Sequence, residues 1–109
     1  MLAPEFEVVG SVSDGASLIE EARRLSPDVM IVDLFMPRLN GIEAARELKK
    51  RHIPGRIIFL SVYEDASFVE AAQALGAMGY VLKSSADRDL VRAIREALQG
   101  RFFHSPSLQ

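Results

Sequence analysis

Three apolar stretches of this chain each run into a polar residue able to do chemistry. Residues 29–32 end in Asp33, residues 57–60 end in Ser61, and residues 80–82 end in Lys83. Each polar residue alone has an ordinary explanation: an aspartate opens a loop, a serine is unremarkable there, and a lysine extends into water. At the ends of successive strands of one parallel sheet they instead converge, because all C-terminal strand ends share one edge and open α/β sheets bind ligands outside it. A carboxylate, a hydroxyl and an ammonium brought together suit phosphoryl transfer. The carboxylate can attack phosphorus and form an acyl phosphate. The transferred group carries its charge on peripheral oxygens, so the site has mainly to position and neutralise. Lys83 supplies a point charge and Ser61 one hydrogen bond to a phosphoryl oxygen. Such a centre normally also uses a divalent metal, and one carboxylate holds Mg²⁺ poorly.

The elements needed to position these residues are written as an alternation of strands and helices. Residues 6–12 are rich in β-branched side chains and predict a strand, broken by Ser13-Asp14-Gly15. Leu18, Ile19, Ala22 and Leu25 then form an amphipathic helical stripe, closed by Pro27, which disfavours αR at the residue before it. Residues 29–32 are continuously apolar, as expected for a strand covered on both faces. Asn40 and Glu43 have the spacing of a capping box, and Ile42, Ala45 and Leu48 give the inner face of a second helix that Pro54-Gly55 stops. Residues 57–60 repeat the buried strand, and a helix from about residue 66 to 75 follows, with Gly76 suited to its C′ position. After the short strand 80–82, Ser84 or Ser85 can cap a last helix carrying Leu90, Val91, Ile94, Ala97 and Leu98, ended by Gly100. Residues 101–109 have no period and predict the start of a linker. Four strands each followed by a helix imply an α/β fold: flavodoxin-like (βα) units around an open parallel sheet with right-handed crossovers.

Composition narrows the partners. At 109 residues there is room for one domain. A formal net charge of -2 gives no basic stripe for nucleic acid, and with no cysteine there is neither a disulfide framework nor a thiolate metal site. No apolar run reaches the length of a membrane span, and the N-terminus lacks the charged and apolar regions of a secretion signal, so a cytoplasmic location is expected.

Residues 27–43, Pro-Asp-Val-Met-Ile-Val-Asp-Leu-Phe-Met-Pro-Arg-Leu-Asn-Gly-Ile-Glu, resemble the phosphoacceptor region of response-regulator receiver domains of two-component signalling. The aspartate, the proline four residues later and the glycine opening the next helix all match. Residues 58–61 resemble the family's strand with the switch hydroxyl, and residues 76–83 its segment with the invariant lysine. The resemblance implies a phosphorelay protein in which Asp33 takes a phosphoryl group from a histidine kinase. Ser61 swings towards that group, Tyr80 moves with it as an aromatic switch, and Lys83 pairs with the phosphate. It implies Mg²⁺ held by Asp33 and by the backbone carbonyl of Phe35. Residues 8–10 before Asp14-Gly15, and Gly100-Arg101-Phe102-Phe103, lean towards transcription regulators with a C-terminal helix-turn-helix domain; none is read within these 109 residues.

The family pattern opens with a strand and helix that are not read here, and the loop after that strand carries the acidic pair that holds the metal. The expectation is therefore a receiver domain over residues 1–100 lacking its first βα unit, with weak Mg²⁺ binding and impaired phosphorylation. Asp14, Glu64 and Asp65 are poor substitutes for the acidic pair, the latter two being suited to capping or solvation. One sheet face is expected to be covered only by the helix from about residue 86 to 99. A bare apolar face invites association, so a homodimer through that face and helix is expected. Two other functions use similar residues: a phosphorylation-independent dimerisation or protein-binding module of the same fold, and an aspartate-nucleophile phosphatase. The second needs an acid two residues after the nucleophile, where this chain has Phe35, so a signalling module rather than an enzyme is expected.

Overall fold

The computed structural model describes residues 6, 14–34 and 40–106. Helix α1 (Gly15–Leu25) begins where Asp14 caps it, its Oδ1 accepting from the Ser17 N–H at 2.8 Å. Strand β1 (Val29–Asp33) leads through Leu34 towards helix α2 (Gly41–Lys50). The expected capping box is formed: Asn40 Oδ1 accepts from Glu43 N–H at 2.9 Å, and Glu43 Oε1 accepts from Asn40 N–H at 3.2 Å. The helix ends before Pro54-Gly55, however. His52 takes the left-handed conformation at φ 56°, with His52 N–H bonded to Lys49 O and Ile53 N–H to Leu48 O. These are the two hydrogen bonds of a Schellman ending, here without glycine.

Strand β2 (Arg56–Ser61), helix α3 (Ala66–Ala74) and strand β3 (Gly79–Leu82) follow. A single 3₁₀ turn (Lys83–Ser85) then leads into helix α4 (Ala86–Leu98). The described strands are all parallel, in the order β1-β2-β3-β4. The fourth described strand is β4 (Phe103–His104), from the segment expected to begin a linker. Phe103 N–H bonds to Met78 O and Ser105 N–H to Tyr80 O, both at 3.1 Å. The Phe103 ring is buried beneath the Arg92 guanidinium, 5.4 Å from the ring centre. Edge pairing and ring burial, not periodicity, hold this tail on the domain. The expected strand over residues 6–12 lies, apart from Phe6, outside the described residues.

The strand pleat divides the core in two. Met30, Val32, Phe59, Tyr80 and Leu82 face one side, packed with α1 and α2 and with Ala72 of α3. Ile58 and Val81 face the other, packed against Ala93, Ile94 and Ala97 of α4 and against Phe103. Helix α4 keeps Leu90, Ile94 and Ala97 of the expected stripe against the core and adds buried Asp89 and Ala93, whereas Leu98 is 38% exposed. Ile31, in the middle of β1 on the side opposite Met30 and Val32, is 36% exposed.

Candidate functional site at the C-terminal sheet edge

The ladder register sets the site. Asp33 lies opposite Leu60, one residue before Ser61, and Ser61 lies opposite Leu82, one residue before Lys83. Successive members of the trio are thus each one residue step further along the ladder, and Lys83 stands two steps beyond Asp33 at the same sheet edge. Lys83 crosses to Asp33, its Nζ 2.6 Å from Oδ2, linking residues fifty apart in sequence. Both side chains are partly exposed, at 42% and 36%. A partly exposed carboxylate thus stands beside a positive charge.

Helix α2 crowds against this strand end. A Cβ on Gly41 would stand 2.6 Å from the Asp33 carbonyl oxygen and 2.9 Å from Leu34 Cα, both backbone atoms. Only glycine admits so close an approach, and Gly41 N–H uses it to bond Leu34 O at 2.8 Å.

Ser61 is buried, and its Oγ accepts from Tyr63 N–H at 3.0 Å. Tyr80 is fully buried as well, and its hydroxyl donates to Tyr63 O at 2.9 Å. Burial pushes the Tyr80 phenol above its ordinary pKa, with the Ser61 hydroxyl pulling the other way and the Asp65 carboxylate adding to the rise. The phenol is therefore a neutral donor at physiological pH. Tyr63 joins the two expected switch residues through its backbone, and its ring, 44% exposed, sits 5.2 Å from that of Phe68. Sequence reasoning missed Tyr63, whose only signal was an aromatic two residues past a strand end.

Asp65 caps α3 through a 2.9 Å bond from Ser67 N–H, a bond that draws its carboxyl below the ordinary value. Asp14 caps α1, so both are structural carboxylates. Phe35 lies outside the described residues. Among the described residues no group of three or more acidic or imidazole side chains could hold a metal ion. The described donors therefore do not make a Mg²⁺ site by themselves. Among the described residues no helix is long and apolar enough to cross a membrane.

A parallel α/β sheet with an aspartate paired to a lysine at its C-terminal edge is the architecture of a receiver domain, and the comparisons agree. The family model for the response regulator receiver domain matches residues 2–95. The chain belongs to this family, whose members are signalling modules of two-component systems. It is 36% identical over 107 residues to the transcriptional regulatory protein DegU of Brevibacillus brevis, covering 98% of this chain and 45% of that protein. It is 38% identical to the nitrate/nitrite response regulator NarL of Escherichia coli K12, covering 98% of this chain and 50% of that protein. The chain thus spans about half the length of these curated relatives. A LuxR-family two-component response regulator from Aurantimonas sp. SI85-9A1 superposes with a TM-score of 0.90 at 34% identity, covering 96% of this chain and 75% of that one.

Proposed function

We propose that Asp33 is a phosphoryl acceptor, charged by a histidine kinase in the cytoplasm, and that the signal serves transcription regulation. The observation that carries this reading is the 2.6 Å pair between Lys83 Nζ and Asp33 Oδ2 at a solvent-open strand end. An Asp33 oxygen attacks phosphorus, the bond from phosphorus to the donor nitrogen breaks, and the leaving imidazole keeps the electron pair. The product is an acyl phosphate whose oxygens take over Lys83 from the carboxylate. Ser61 donates to one of those oxygens once its side chain turns from Tyr63, and Tyr80 follows it. Because Phe35 stands where a phosphatase acid would be, the chain accepts and holds the group rather than turning over phosphomonoesters.

Mg²⁺ is the ion this family uses, and Asp33 with the Phe35 carbonyl is the donor set proposed here. One carboxylate already engaged by lysine supports weak metal binding and slow phosphorylation. Isothermal titration with Mg²⁺ is expected to give no saturable tight site. Tight stoichiometric binding abolished by Asp33→Asn would contradict this. Incubating the chain with a small phosphodonor and Mg²⁺ is expected to add one hydroxylamine-labile phosphoryl group, slowly, and none to Asp33→Asn. Labelling that survives Asp33→Asn would contradict the acceptor assignment.

The chain also pairs with a second copy through the face bearing Ile31 and the outer side of α4 at Leu98. The exposure of these apolar side chains supports this. So does the relative RcsB, described as dimers bound to DNA and matching at 30% identity with a TM-score of 0.82.

A further inference from the structure

We infer that Ser105 is a positioning residue for the Asp33 site, fastening both ends of the turn that carries Lys83; the inference deepens the reading of Asp33 as phosphoryl acceptor. Lysine has a flexible four-carbon stem, so its ammonium is held at a fixed place only if its backbone is. The backbone of Lys83 leaves the sheet at Leu82 and enters the 3₁₀ turn that ends at Ser85. Ser105 touches both residues. Its Oγ accepts from Leu82 N–H at 3.1 Å and lies 3.3 Å from Ser85 Oγ, while Ser85 Oγ lies 3.5 Å from Leu82 O. The donors run in one consistent sense: Leu82 N–H to Ser105, the Ser105 hydroxyl to Ser85, and the Ser85 hydroxyl back to Leu82 O. The ring closes around the base of the Lys83 turn, and Ser105 is completely buried.

The side chain replaces a missing ladder bond. After Ser105 N–H bonds to Tyr80 O, a continuing parallel strand would next offer its carbonyl to Leu82 N–H. The Ser105 carbonyl instead lies 3.1 Å from His104 Nδ1, so the hydroxyl takes its place. The same ring explains why Ser85, at the N-cap position of α4, makes no capping bond there. A buried N–H left without a partner is costly, so removing the hydroxyl frees Leu82 and, one residue on, Lys83.

The test compares Ser105→Ala with Phe103→Leu, which loosens the same tail by trimming its buried ring but keeps the hydroxyl. Phosphoryl uptake from acetyl phosphate with Mg²⁺ is measured on the full chain, with thermal melts to match the loss of stability. Uptake is expected to fall about ten-fold in Ser105→Ala, since small misplacements of charge-positioning groups are costly, and to stay within about two-fold in Phe103→Leu. Native-state exchange of the Leu82 amide is expected to quicken about ten-fold in Ser105→Ala. Equal losses of uptake in the two variants, or none in Ser105→Ala, would overturn the positioning role. If the wild-type chain takes no label, the acceptor reading fails, and the ammonium resonance of Lys83 decides the positioning role separately. Its loss in Ser105→Ala but not in Phe103→Leu supports the inference; its persistence in both overturns it.

Discussion

The Asp33–Lys83 pair is too exposed to be kept for stability. Ion pairs of this kind contribute about 0–1 kcal/mol, so Lys83→Ala should leave the melting temperature nearly unchanged while lowering phosphoryl uptake; a large drop in melting temperature would show a structural role instead. Tyr80 is the opposite case. Its hydroxyl holds Tyr63 O, and Tyr80→Phe should cost about 1 kcal/mol, read from denaturant midpoints. The raised phenol pKa sets a pH dependence. Its stabilising effect is complete below the ordinary tyrosine value of about 10 and is lost as pH rises through the higher folded value. Tyr80→Phe should therefore flatten the alkaline limb of a stability–pH profile. Asp33, Ser61 and Lys83 were legible because an apolar run that stops at a polar residue marks a strand end. Tyr63, Ser85 and Ser105 were not, because Tyr63 acts through its backbone and the two serines meet only once the tail has docked.

Among the elements, α2 is the one whose placement bears most directly on the site. Gly41→Ala would set a methyl against the backbone of Asp33 and Leu34. The expected cost is about 1–3 kcal/mol of overpacking, with reduced phosphoryl uptake because the Asp33 strand end is displaced. A chemical denaturation curve coincident with wild type would show that the contact is looser than the geometry implies. The capping box of α2 was legible because it is written in two residues at fixed spacing. Its C-terminus was not, since His52 in the left-handed region carries no glycine signal. Nor was β4: two residues are too few to display an alternation, and its docking depends on Arg92, Met78 and Tyr80 being in place.

At the scale of the whole molecule the two sheet faces are unequal. Helices α1, α2 and α3 lie on one side, and among the described helices only α4 covers the other, centred on β2 and β3. The resemblance to the receiver family implied this inequality, but not the exposure of Leu98 on α4. If Ile31 and Leu98 meet a second copy, Leu98→Glu should shift light scattering towards the monomer at micromolar concentration. A wild-type chain that is already monomeric there would contradict the pairing.

The residue that carries the phosphoryl group identifies the acceptor directly. After reaction with a small phosphodonor, borohydride reduction converts an aspartyl phosphate to homoserine, which peptide mass spectrometry locates. The expected result is homoserine at position 33 alone, greatly reduced when Lys83 is replaced by alanine. Homoserine at position 14, 28 or 65, or none at any aspartate after prolonged incubation, would contradict the assignment of the site.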